Sequence, residues 1–137
     1  MGDGCSARCE EDYTDTGRAC VSLIRHPANY LEAILDCQTR GGLLASVLSQ
    51  EEQDIIAALT ESTGAWIGLT DFLDVGKWVS WVDGSEVIFT AWRPGAPNNH
   101  NNNQHCTWIR PDGGWDDITC KKKKHYVCQK PIISVVI

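Results

Sequence analysis

Apolar residues follow two different spacings in the two halves of this chain. From about Ala28 to Thr39, the residues Tyr30, Ala33, Ile34 and Cys37 recur at i, i+3, i+4 and i+7. That is one stripe of a helix beginning after Pro27, and Gly41-Gly42 ends it. Ser49-Gln50-Glu51-Glu52 has the pattern of a capping box; it predicts a second helix with Ile55, Ile56 and Leu59 on its apolar side, closed by Thr63-Gly64. After Gly64 the helical period gives way to short aromatic or β-branched runs. These are Trp66 to Leu69, Val79 to Val82, Val87 to Trp92, Cys106 to Ile109 and His125 to Cys128, separated by Gly, Pro, Asp and Asn. Two helices followed by several short strands predict an α+β domain with an antiparallel sheet. Near the N-terminus, Cys9 to Cys20 encloses a polar stretch with a turn at Asp15-Thr16-Gly17, which reads as a small disulfide-clamped hairpin. Arg93 to Gln104 has no periodicity and many Pro, Gly and Asn, so it is a long irregular loop of the kind that is either functional or disordered. Cys106 at its end favours the ordered case.

Composition narrows the function. A chain of 137 residues is one domain, long enough to bury roughly two-thirds of its unfolded surface. The net charge of −6 argues against general nucleic-acid binding, which needs a basic face. No apolar run approaches the roughly 20 residues that span a bilayer, so membrane insertion is not expected. Six tryptophans point to a core of large rings. The seven cysteines, at 5, 9, 20, 37, 106, 120 and 128, include no Cys-x-x-Cys pair. Many thiols without metal-like spacing suggest a disulfide framework and a secreted, extracellular protein. Met1 to Gly4 carries no apolar signal segment, so a mature chain with an added start methionine is expected. Met1-Gly2…Ser6 also fits a myristoylation pattern, but that implies the cytosol, and secretion is the stronger reading. If six cysteines pair, one is left over, and spacing alone does not choose among the connectivities.

Several motifs then occur in order: Trp66-Ile67-Gly68-Leu69, Trp81…Asp83-Gly84-Ser85, Trp92…Gly95…Pro97-Asn98, Cys106, Gly114-Trp115…Asp117…Cys120 and Tyr126-Val127-Cys128. Through them the stretch from about Cys9 to Lys130 resembles the C-type lectin-like domain family. The resemblance implies two helices packed on antiparallel sheets with a long irregular ligand loop. It places a domain at 9–130, an N-terminal extension with the extra cysteine at 1–8, and an apolar tail at 131–137. It implies the bridges Cys9–Cys20, Cys37–Cys128 and Cys106–Cys120, leaving Cys5 either as an interchain bridge to a second copy or as a capped thiol. The tail suggests an added edge strand or a subunit contact.

Sugar-binding members of that family hold calcium on loop oxygens, and the ion bonds two vicinal sugar hydroxyls. The matching places here are Ala96-Pro97-Asn98, Gln104, Asp116 and Asp117. Asn98, Gln104, Asp116 and Asp117 would be the metal ligands; Ala96 supplies none and Gln104 an uncharged one. Only two side-chain charges remain, so the implied calcium affinity is weak. At the family's second calcium position Asp71 stands with Val75, Asn99 and His105, where acidic residues are usual, and Asp74 is adjacent. His100 and His105 with Asp71 form an alternative zinc set, since imidazole suits zinc. Asn98, His100, Gln104, Asp116, Asp117 and Ile118 are the expected sugar-binding residues, His100 and Ile118 flanking the sugar. Asparagines in the loop either bond sugar hydroxyls or simply tolerate left-handed backbone. Lys121 to Lys124 either grips anionic surfaces or is a solvated turn.

The reading is a secreted lectin that recognises glycans of cell or microbial surfaces, with weak or absent calcium dependence. The alternative is a domain that has lost sugar binding and takes protein, mineral or ice. No nucleophile–base arrangement stands out, so an enzyme is not expected.

Overall fold

The structure, a computed structural model, describes residues 8–133. The expectations for Cys5, for most of the 1–8 extension and for positions 134–137 of the tail fall outside the described residues. In chain order the elements are β1 (Thr14–Asp15), β2 (Ala19–Ala28), α1 (Tyr30–Thr39), β3 (Leu43–Leu44), α2 (Gln50–Thr60), β4 (Ala65–Thr70), β5 (Val79–Ser80), β6 (Cys106–Ile109), β7 (Trp115–Ile118) and β8 (Lys124–Pro131). This is the α+β arrangement expected, with strand order β1-β2-β8-β4-β6-β7; β3 pairs with β8 and β5 with β4. One ladder differs from the expected antiparallel sheet. β4 and β8 run parallel, opposed at Trp66 and Tyr126, so the sheet is mixed.

Period-two alternation in the central strands divides the core into two. Trp66, Tyr126 and Cys128 face α1 and pack with Tyr30, Ile34 and Cys37. Ala65, Ile67, Leu69 and Val127 face the other way, toward Ile56, Ile109 and Trp115. Trp66 is fully buried; its indole N–H donates to the Ala28 carbonyl at 2.9 Å, and its ring meets Tyr30 edge-on at 5.1 Å. The Tyr30 hydroxyl in turn donates to the Ile67 carbonyl at 2.7 Å. Burial without an unpaired polar atom is what lets these large rings sit at the centre. Gly68 is required at the crossing of β4 under the β3 segment: an added Cβ would lie 2.6 Å from the Leu44 carbonyl oxygen.

The expected face of α1 is the buried one: Tyr30, Ala33, Ile34 and Cys37. Its capping box was not foreseen. Asn29 accepts from the Glu32 amide while the Glu32 carboxylate accepts from the Asn29 amide. In α2 the expected box is half formed. Ser49 accepts from the Glu52 amide, but the Glu52 carboxylate turns away to accept from the Leu48 amide and from Arg18 Nε at 2.7 Å. The buried residues of α2 are Glu52, Gln53, Ile56 and Thr60, with Ile55 and Leu59 only partly covered. Gln53 explains why a polar residue faces the core. Its amide donates to the Gly113 carbonyl and accepts from the Trp115 indole at 2.8 Å, fixing the start of β7.

The run Val87 to Trp92 is a further correction. It forms no strand; the isolated bridge of Trp92 to Trp115 is its only ladder contact among the described residues, with another at Glu86 just before it. Phe89 and Trp92 instead pack edge-on against Trp115, at 5.9 and 5.7 Å. Three disulfides join Cys9–Cys20, Cys37–Cys128 and Cys106–Cys120, the pairing the resemblance implied. At the other end of β8, the Ile133 amide donates to the Arg8 carbonyl at 2.8 Å.

The Cys37–Cys128 bridge spans 91 residues, and closing a loop of that size removes about 4–5 kcal/mol of chain entropy from the unfolded state. Replacing both cysteines by alanine is expected to lower the urea midpoint strongly, more than the same change at Cys9 and Cys20, which are 11 apart. A second expectation concerns acid. Asp36 accepts from the Tyr126 hydroxyl at 2.6 Å and from Arg40 at 2.7 Å. These bonds, the tyrosine's first, hold its carboxyl below the usual range; burial and the same bond push the Tyr126 phenol up to about 12. The Asp36 contribution is therefore present above the unfolded carboxyl value near 4 and lost as pH falls through the lower folded value. Urea unfolding at pH 7 and at low pH should show the stability gap between native chain and Asp36→Asn narrowing with acid. An equal gap at both would contradict the assignment.

Candidate functional site

Both ends of the long loop are fastened to β7. At its start the Arg93 amide donates to the Trp115 carbonyl, and the Trp115 amide donates to the Ala91 carbonyl. At its end Cys106 pairs with Ile118, and the Cys106–Cys120 bridge closes the base. Between these anchors lie a cis peptide at Ala96–Pro97 and a single 3-10 turn at His100–Asn102. Asn99, Asn101 and Asn102 occupy the left-handed region, so part of the loop's asparagine content is a backbone requirement.

Asp117 holds the loop down. Its side chain is 1% exposed, and a buried carboxylate must be matched by donors. The Asn98 amide approaches both carboxylate oxygens at 3.0 and 3.1 Å, and the Asn99 amide donates to one of them at 2.6 Å. The loop then bonds to itself. The His100 amide donates to Asn98 Oδ1 at 3.2 Å and Gln104 Oε1 at 2.9 Å, and the Gln104 amide donates to Asn99 Oδ1 at 3.1 Å.

The neighbouring carboxylates are also matched by protein groups. Asp116 faces Arg93, whose Nε lies 3.0 Å from Oδ1; the approach is a charge contact rather than an aligned hydrogen bond, and that oxygen has no directed donor. Asp71, buried, accepts from the Gly76 amide at 2.9 Å and lies 2.9 Å from His105 Nδ1. The other ring nitrogen of His105 is 3.3 Å from the Asn102 carbonyl. Both ring nitrogens thus face oxygen atoms of the protein.

Among the expected sugar-binding residues, Asn98, His100, Gln104, Asp116 and Asp117 are brought together on the loop and β7. Ile118 is not available to a ligand. It is 8% exposed and packs in the core beside α1, because its position in β7 points inward. Asp117 is likewise an internal anchor rather than an outward group. Arg93 was missed; the only signal in the sequence was a lone cation inside an otherwise uncharged loop. Lys121 to Lys123 form an exposed turn between β7 and β8, while Lys124 lies over the Trp108 ring at 3.7 Å.

The oxygens that would hold calcium are engaged elsewhere. Both Asp117 oxygens receive backbone N–H groups, Asn98 Oδ1 and Gln104 Oε1 receive the His100 amide, Arg93 faces Asp116, and Ala96 offers nothing. These side chains do not fit a calcium ion in this arrangement: it takes six to eight oxygen ligands, and the oxygens of this set already receive protein N–H groups or face Arg93. The zinc set fits no better. His105 and Asp71 meet, but each His105 nitrogen is directed at an oxygen, and among the described residues no three His, Cys, Asp or Glu side chains are grouped to hold a metal.

Residues 26–130 match the family model described as Lectin C-type domain. The chain is 30% identical to the galactose-specific lectin nattectin of Thalassophryne nattereri, over 91% of this chain and 82% of that protein. Among solved structures it is similar to the cow C-type carbohydrate-recognition domain of CD23 determined in the presence of a GlcNAc2Man3 oligosaccharide. That likeness has a TM-score of 0.87 at 27% identity and covers 93% of this chain and 99% of the domain. It is also similar to a calcium-independent type II antifreeze protein, with a TM-score of 0.83 at 31% identity over 91% of this chain and 95% of the other. The chain spans 38%, 49% and 37% of the length of three further curated relatives it matches. By the matched domain, the bridges and the shared fold, the chain belongs to the C-type lectin domain family.

Proposed function

We propose that this domain binds carbohydrate at the crown of the long loop, without requiring calcium. The observation that carries the reading is a group of side-chain amides, exposed Asn98 and half-buried Gln104 beside exposed His100, held on a rigid base by the buried Asp117 carboxylate. Side-chain amides and imidazole suit hydrogen bonding to saccharide oxygens, and a preformed loop spares the cost of ordering on binding. The likenesses to nattectin and to the CD23 domain support the ligand class. The three cystines support an extracellular setting, where glycans of cell or microbial surfaces would be the partners.

A second reading has one specific observation in its favour. The likeness to a calcium-independent antifreeze protein supports binding of ice or mineral by the same face.

A glycan array read with calcium and with EDTA tests the proposal. Binding to a saccharide set that survives EDTA is expected; loss of all binding in EDTA would refute calcium independence. Ice recrystallisation inhibition with no glycan bound would favour the second reading. Asp117→Asn should weaken saccharide binding by at least about tenfold, because it removes the charge that draws the Asn98 and Asn99 amides down. An unchanged affinity, measured by calorimetry, would separate the loop from the activity.

A further inference from the structure

We propose that the loop crown is a hydrogen-bond donor surface that selects saccharides carrying a carboxylate or sulfate. This rests on the carbohydrate reading above and names the ligand class within it.

The orientation of three amide side chains is fixed by their partners. A backbone N–H can only donate, so the group facing it must be the oxygen. Asn98 Oδ1 and Gln104 Oε1 both receive the His100 amide, and Asn99 Oδ1 receives the Gln104 amide. The NH2 ends of all three are therefore the ends left over, and among the described residues none of them is paired with an acceptor. The carboxylates nearby face protein groups. Asp117 is sealed under the Asn98 and Asn99 amides, Asp71 is held by Gly76 and His105, and Asp116 faces Arg93. What Asn98, Asn99 and Gln104 offer is a cluster of three NH2 donors, set beside the exposed Asn101 to Asn103.

A neutral sugar hydroxyl both donates and accepts. Against a surface of donors its own proton has no partner, and binding strips that proton of water for no return. A carboxylate or sulfate presents acceptors alone, and hydrogen bonds to an ionised acceptor are roughly twice as strong as neutral ones. The net charge of −6 does not forbid this, since physiological salt screens exposed charges beyond about 8 Å. Because the crown supplies donors rather than lysines, its affinity should survive added salt. A ligand held by the exposed Lys121 to Lys123 turn would instead be released by it.

The test uses the full chain in EDTA with a glucuronate-containing oligosaccharide and the same oligosaccharide after reduction of its carboxyl groups. Calorimetry should show the acidic form bound at least about tenfold more tightly, with little loss at 0.5 M salt. The variants Asn98→Asp and Gln104→Glu keep the oxygen that receives the His100 amide and replace the NH2 donor by a charged oxygen. Each should reduce binding of the acidic form at least about tenfold at an unchanged melting temperature. Replacing Lys121, Lys122 and Lys123 by alanine should leave it unchanged. Equal affinity for the two forms overturns this inference while leaving carbohydrate binding intact, whereas binding of neither overturns the carbohydrate reading itself. Acidic selectivity abolished by the lysine changes and indifferent to Asn98→Asp also overturns it.

Discussion

The carboxylate of Asp117 is the constraint on which the long loop depends. It sits on β7 at 1% exposure, where an unmatched charge would drive the loop open or the proton on. Two successive backbone amides, Asn98 and Asn99, satisfy it. To bring both amides to one carboxylate, the chain takes a left-handed conformation at Asn99. From there the remaining bonds follow, as His100 and Gln104 close the loop upon its own side chains. The position of Asp117 is in turn set from the far side of the domain. Gln53 on α2 holds the Trp115 indole, and Trp115 begins the strand that carries Asp116 and Asp117. A helix residue therefore reaches the site through one buried ring.

Much of this fold was legible in the order of residues, and particular cases show why the rest was not. The stripe of α1 could be read because Tyr30, Ala33, Ile34 and Cys37 are apolar and the helix buries one face. The face of α2 misled because Glu52 and Gln53 are buried by virtue of partners 34 and 62 positions distant, Arg18 and Trp115. Periodicity reports apolar burial, and long-range hydrogen bonds leave no trace in it. Val87 to Trp92 looked like a strand because its rings are β-formers. Those rings are used for packing on Trp115 instead, and tertiary contact overrode local preference. At the site, the polar residues of the loop were found from composition and spacing. The inward turn of Ile118 and the service of Asp117 as an anchor were not, because both depend on which way β7 faces.

The balance of charge around the loop follows from the same geometry. Three carboxylates remain in the region, Asp71, Asp116 and Asp117, so acidity has not vanished from it. Each has been given a protein partner: His105 for Asp71, Arg93 for Asp116, and backbone amides for Asp117. A divalent ion at Asp116 and Asp117 would have to compete with these partners, and partial success would leave Arg93 or the loop amides without acceptors. That competition is unfavourable at every step, since an unpaired buried donor costs more than a typical hydrogen bond contributes. The loop is consequently ordered by its own hydrogen bonds, before any ligand arrives. On the proposed reading a ligand would meet a surface whose shape is already set, with the NH2 groups of Asn98, Asn99 and Gln104 left to donate. Order and donor character are two results of a single fact, the burial of Asp117 beneath the loop it holds.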